Sequence, residues 1–328
     1  MTPRHASTGW AAWLVAAVVW LAPPPASAAE RPADGPQGEG RAYAFNEFLV
    51  GQPRFTLPFY LFNGHILIDA AVDGRRGKIM FDTGTEFPFF LNNHFLPLAR
   101  DRLVGRGHAG SGQPMVLYRQ DAPLASIEIA NQLRFENVAG VTHTDWDFVA
   151  QAYTPYLLGS LGHGFNRNYL FVIDYDAQTI DFHALDRSDG VPVGVVDPAR
   201  VIATLLFVPT GVDGKMPEVE MRIGDQAITA VFDTGNPGSL ELTESARDAL
   251  LAQGRLILAT SDYTYGVREP RVHATLTGLT YGTQPLHEVR NLTFTLGPRN
   301  RVGLGYHFLR HYVSAWDYRQ RTLTLLRR

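Results

Sequence analysis

Phe81-Asp82-Thr83-Gly84 recurs as Phe232-Asp233-Thr234-Gly235, 151 positions later. Each tetrapeptide closes an apolar, β-type run, Lys78-Ile79-Met80-Phe81 in one case and Thr229-Ala230-Val231-Phe232 in the other. An apolar stretch follows each, at 87–91 and at 239–242. Next come Asn92 and Thr243, also 151 apart, and helices are predicted to start there because a short side-chain oxygen accepts a bond from a free helical N–H. The second helix is predicted to stop at Gly254. A second landmark sits further along. Leu161-Gly162-His163-Gly164-Phe165-Asn166-Arg167-Asn168-Tyr169 aligns without gaps on Leu304-Gly305-Tyr306-His307-Phe308-Leu309-Arg310-His311-Tyr312. The match runs on through Asp174-Tyr175 with Asp317-Tyr318, and Thr179 with Thr322, at an offset of 143. The chain is therefore a duplication.

Between the landmarks the pattern is mostly β. Runs at 66–72, 126–138, 170–174, 179–182, 201–208, 286–296 and 322–326 are rich in β-branched and aromatic residues, and Asp73-Gly74 and Gly224-Asp225 mark tight turns. The fold class predicted is all-β, with two tandem closed β lobes at 48–186 and 200–328. The Gly- and Pro-containing stretch 187–199 is the linker. Asp174 and Asp317, each between two β runs, are predicted to close hairpin turns.

Two carboxylates supplied symmetrically suit peptide hydrolysis by activated water. Held about 3 Å apart, two aspartates cannot both ionise, because like-charge repulsion raises one pKa. They share a proton: the ionised member takes a proton from water, and the protonated member hydrogen-bonds the scissile carbonyl. Asp82 and Asp233 are the candidate catalytic pair. Gly84 and Gly235 allow a close turn and offer an N–H to the carboxylate. The hydroxyls of Thr83 and Thr234 are placed to reach backbone groups of the opposite loop. Taken alone, an Asp before Thr-Gly can also serve merely to hydrogen-bond its own turn.

These segments resemble the active-site signature of retropepsin-like and pepsin-like aspartic proteases. Ser160-Leu161-Gly162 and Gly303-Leu304-Gly305 resemble the family's later hydrophobic-hydrophobic-Gly element, which packs behind the catalytic loop. The Gly-x-x-Phe-x-Arg-x-Tyr…Asp-Tyr pattern is similar to bacterial retropepsin-like domains. The resemblance implies a single-chain form with two acid-protease-type lobes, a bilobal pseudo-twofold structure, a central cleft and hairpin flaps. It implies an aspartic endopeptidase acting on a peptide or protein substrate, without cofactor or metal. Thr85 fits the position after Asp-Thr-Gly, whereas Asn236 departs from the usual Ser, Ala or Thr and would bond the outer carboxylate oxygen as an amide donor. Flap candidates are Gly105–Gly112 and Asp262–Val267, with plain surface loops as the alternative.

The ends and the composition bound the rest. Trp10–Leu21 is a run of twelve apolar residues, followed by Ala26-Ser27-Ala28-Ala29. That is the pattern of a secretory signal peptide over 1–29, too short for the ~20 residues of a membrane span, and a flexible leader follows at 30–47. Export to the periplasm or the medium is predicted, with an uncleaved anchor as the rival. The chain has no cysteine, so its stability rests on a packed core rather than disulfides. A formal charge of −3 argues against nucleic-acid or anionic-membrane partners. The predicted state is a monomer with an internal pseudo-dimer.

Other patterns carry less. Gly105-Arg106-Gly107-His108-Ala109-Gly110 has dinucleotide-fingerprint spacing without its strand-to-helix setting. His307 and His311 are four apart but lack a third metal ligand. Asn291-Leu292-Thr293 is a glycosylation sequon by pattern only, and no Gly-x-Ser-x-Gly motif is present. The competing function is a non-catalytic duplicated module that binds a peptide or cell-envelope ligand in the same cleft. A scaffold that keeps the fold for stability alone is a third.

Overall fold

Strand periodicity in this chain separates edge from centre. Arg54–Pro58 alternates, with Phe55 and Leu57 inward and its other residues in solvent. Phe89–Asn92 and Leu157–Leu161 are buried along their whole length, as strands covered on both faces must be. A computed structural model describes residues 54–109, 113–148, 153–185, 194–210, 216–264 and 267–328. The expected signal peptide and leader lie outside the described residues, as does most of the expected linker. The chain is predominantly β. Among the described residues, no helix is long and apolar enough to cross a membrane.

Two sheets carry the duplication. In the first, the order is Arg102–His108, Pro114–Arg119, Thr142–Thr144, Phe89–Asn92, Leu157–Leu161, Arg75–Phe81, His65–Val72, Leu124–Ile129 and Leu133–Val138. The second repeats it strand for strand, from Leu256–Thr264 through Val267–Leu276, Val289–Leu296, Ser239–Leu242, Arg301–Leu304, Gln226–Phe232, Met216–Ile223 and Leu279–Tyr281 to Gln284–Pro285. Each order runs between two edges. The closed lobes expected from the sequence are instead open, curled sheets: among the described residues no hydrogen bonding joins the first strand of either path to its last.

A third sheet of six strands joins the copies. At its centre Tyr169–Asp174 runs antiparallel to Val313–Asp317, and Val172 faces Ala315, its own counterpart at the 143-residue offset. Phe171 stacks on Trp316 across this seam, with ring centroids 5.7 Å apart. One continuous apolar core contains Phe81, Phe171, Phe232 and Trp316 and thus spans both copies. Asp174 and Asp317 do close the turns that follow, each accepting two backbone N–H groups through Oδ1.

The helix expected at Thr243 forms over Glu244–Ala252. Thr243 Oγ1 caps Ala246 N, and Gly254, at φ +64, ends it with Gly254 N–H on Leu251 O and Arg255 N–H on Leu250 O. The helix expected at Asn92 does not form. Pro97 leaves room for little more than one turn, seen as Leu96 N–H on Asn92 O. The Asn92 side chain meanwhile ties the loop to Trp146 N and Leu157 O. The run expected at 126–138 is a hairpin, broken where Ala130 and Asn131 take φ of 50 and 55.

Candidate active site

Asp82 follows directly on the strand Arg75–Phe81, which lies parallel to Leu157–Leu161. Its N–H continues that pairing to Leu161 O at 3.0 Å, and Asp233 N–H does the same to Leu304 O at 3.4 Å. The hydrophobic-hydrophobic-Gly segments therefore set the height at which each aspartate leaves its sheet. Gly84 N–H donates to Asp82 Oδ1 and Gly235 N–H to Asp233 Oδ1, both at 2.8 Å.

Hydroxyls lock the two loops together. Thr83 N–H donates to Thr234 Oγ1 and Thr234 N–H to Thr83 Oγ1, each at 3.0 Å, and Thr234 O–H donates to Phe81 O at 2.9 Å. All of these groups are buried. Thr83→Val or Thr234→Val would strand a buried N–H of the other loop, at a cost of about 1–3 kcal/mol. Urea unfolding should show that loss in each Val variant and recover most of it in Thr→Ser, which keeps the hydroxyl.

The glycines bring the carboxylates together by close approach. A Cβ on Gly84 would lie 2.7 Å from Asp233 Cγ, and one on Gly235 would lie 2.5 Å from Asp82 Cγ. Each carboxylate thus rests over the glycine of the opposite loop, and the two groups interact side chain to side chain. Asp82 and Asp233 are fully buried, at 0% and 1% exposure.

The two acids are not equivalent. Thr85 O–H donates to Asp82 Oδ2 at 2.6 Å, and Ser160 O–H supports Thr85 Oγ1 at 3.0 Å. Asn236 was expected to do the same for Asp233, and it does not. Its Nδ2 donates to Ser239 Oγ at 2.9 Å and its Oδ1 accepts from Gly238 N. Gly303, standing where the first copy has Ser160, makes the room: a Cβ there would lie 2.5 Å from Asn236 Nδ2. Asp233 Oδ2 is left without a donor. Burial raises the pKa of both acids. For Asp82 the bonds from Thr85 and Gly84 oppose the rise. For Asp233 the charge of Asp82 adds to burial, and its pKa stands well above the usual carboxylate range. The donor that Thr85 supplies to Asp82, with no counterpart on Asp233 Oδ2, favours Asp82 as the ionised member of the pair.

One neighbour had no signal in the duplication. His65 is fully buried at the start of the strand His65–Val72. Its Nε2 lies 3.1 Å from Gly235 O and 3.1 Å from Tyr153 Oη, and its Nδ1 lies 3.0 Å from Asn63 O. At the matching register the second copy has Met216, so comparing the copies marks the position only as a difference.

Burial lowers the pKa of His65 and of His307 to about 4. A histidine depressed in the fold takes its proton more readily when unfolded, so stability falls as pH drops from 6.5 toward 4. For His307 the shift corresponds to about 3 kcal/mol. His307→Phe should lose less stability than wild type between pH 7 and pH 4.5, read from urea midpoints.

The expected flaps are hairpins, not loops. Gly105 and Gly107 lie within the strand Arg102–His108, paired with Pro114–Arg119. Leu256–Thr264 pairs with Val267–Leu276. Both tips, 110–112 and 265–266, lie outside the described residues. His311 stacks on His287 at 4.8 Å, and among the described residues no group of three or more His, Asp or Glu is placed to hold a metal ion.

No family model and no curated protein matches the chain. One solved structure that it resembles is that of Basic 7S globulin from soybean, at 11% sequence identity and a TM-score of 0.48, covering 83% of this chain and 94% of that one. That similarity is too slight to carry an argument about fold or activity. The membership in the retropepsin-like or pepsin-like protease family expected from the Asp-Thr-Gly segments does not stand: a short motif, even repeated, brings the chain under no family model.

Proposed function

We propose that the chain is an aspartic endopeptidase that hydrolyses peptide bonds with water activated between Asp82 and Asp233. The observation that carries this is the mutual approach of the two carboxylates over Gly84 and Gly235. Two buried acids in that relation hold one proton between them. Ionised Asp82, its outer oxygen fixed by Thr85, takes a proton from water as the water oxygen bonds to the carbonyl carbon. Protonated Asp233 donates to the carbonyl oxygen as it becomes an oxyanion. Collapse of the tetrahedral intermediate breaks the C–N bond, and the proton held by Asp82 passes to the leaving amine. The finer architecture we propose with it is two lobes in pseudo-twofold relation about a central cleft. The equal strand orders and the self-counterpart pair Val172–Ala315 support that arrangement. Substrate would have to uncover the acids before it reached them.

A second reading is favoured by that burial and by Asn236, which leaves Asp233 Oδ2 without a donor. In it, the same site binds a peptide without turnover. The deciding test is cleavage of denatured casein and of an extended-peptide library between pH 3 and 8. Cleavage supports the endopeptidase. Peptide binding with no cleavage anywhere in that range supports the second reading.

A further inference from the structure

His65 meets more acceptors than a neutral imidazole can serve. Asn63 O faces Nδ1 and Gly235 O faces Nε2, yet the neutral ring carries one N–H. The Tyr153 hydroxyl also reaches Nε2. The facing carbonyls come from the first copy's own turn and from the catalytic loop of the second, 170 residues away. Gly235 is the residue on which both acids depend: its N–H holds Asp233, and its bare Cα receives Asp82.

We propose that His65 is a positioning residue for Asp233, tying the Gly235 carbonyl to the first copy and so setting the loop 233–236 against Asp82. This rests on the dyad reading above. It also accounts for the lopsided support of the pair. Asp82 is fixed through its outer oxygen by Thr85 and Ser160. Asp233, with no such donor, is fixed through its backbone. The titratable groups facing His65 are Tyr153 and, through its charge, His307.

The test uses His65→Leu, which cannot bond Gly235, and His65→Gln, which keeps an N–H but does not titrate. Two readouts are taken: kcat and KM on a peptide substrate across pH, and the carboxyl ¹³C titration of Asp233. His65→Leu should lower kcat by about 10- to 100-fold, the usual effect of a small misplacement, with KM little changed and the Asp233 midpoint displaced. His65→Gln should recover most of kcat and restore the Asp233 midpoint. It should also lose the inflection that His65 puts near pH 4 on the acid limb of the wild-type profile. Should the Leu variant not fold, His65→Asn, too short to reach Gly235, replaces it under the same expectations. Wild-type kcat and titration in the Leu variant overturn the proposal. So does an equal loss in the Leu and Gln variants with the Asp233 titration unmoved, which would mark a merely structural role. If wild type does not cleave, the peptidase reading falls and the titration alone decides. A midpoint displaced in the Leu variant and restored in the Gln variant then upholds the positioning role, and an unmoved one overturns it.

Discussion

Asp82→Asn and Asp233→Asn should each lower peptide cleavage by at least about 10³-fold, within the range for loss of a general acid or base, while the protein stays folded. The stability consequence has a definite sign. The pKa of Asp233 is raised in the fold by burial and by the Asp82 charge. The folded state therefore binds more protons than the unfolded one above the unfolded carboxylate pKa, and stability falls as pH rises through that window. Asp233→Asn removes an acid that is costly to ionise and should be more stable than wild type at pH 7. That gain should disappear near pH 3.5, where the carboxyl is protonated in both states. Urea midpoints at the two pH values read the difference directly. A variant destabilised at pH 7 would mean that the Asp233 charge is held by a favourable partner, against the unpaired Oδ2. A binding module would show the same stability pattern with no turnover to lose, so the kinetic arm separates the two functions.

Gly235→Ala should be as damaging as loss of an aspartate, for a different reason. The added methyl would sit 2.5 Å from Asp82 Cγ, well inside van der Waals contact. Neither group can yield easily: Asp82 is held by Gly84 and Thr85, and the Gly235 loop by its N–H bond to Asp233 and by His65. Overpacking of this kind costs about 1–3 kcal/mol, and the carboxylates are driven apart. The expected result is a modestly lowered urea midpoint with cleavage reduced to the level of the Asp→Asn variants. Gly84→Ala, at 2.7 Å from Asp233 Cγ, should behave alike. Gly254→Ala is the control: its φ of +64 disfavours a side chain, but nothing lies within 4 Å of its Cβ position. It should weaken the end of the helix Glu244–Ala252 and leave cleavage intact.

The sequence by itself determined the duplication, and with it the pairing of Asp82 with Asp233 as equivalents. Identical short segments at fixed offsets are a one-dimensional signal, and so are the strand runs and the cap at Thr243. Their local chemistry was also legible, including the glycine N–H groups turned onto their own carboxylates and the turns closed by Asp174 and Asp317. Whether Asn92 starts a helix was not legible, because its side chain is claimed by Trp146 and Leu157, which are distant in the chain. The same holds for Asn236, which turns to Ser239 only because Gly303, from a neighbouring strand, leaves it the space. Closure of the sheets depended on which edges meet, and residue patterns do not encode that. His65 belongs to the tertiary structure entirely: its partner Gly235 lies 170 residues away and offers a backbone carbonyl, a group every residue carries. A contact to backbone leaves no mark in composition or spacing, so the tie from His65 to the second loop is written only in the tertiary structure.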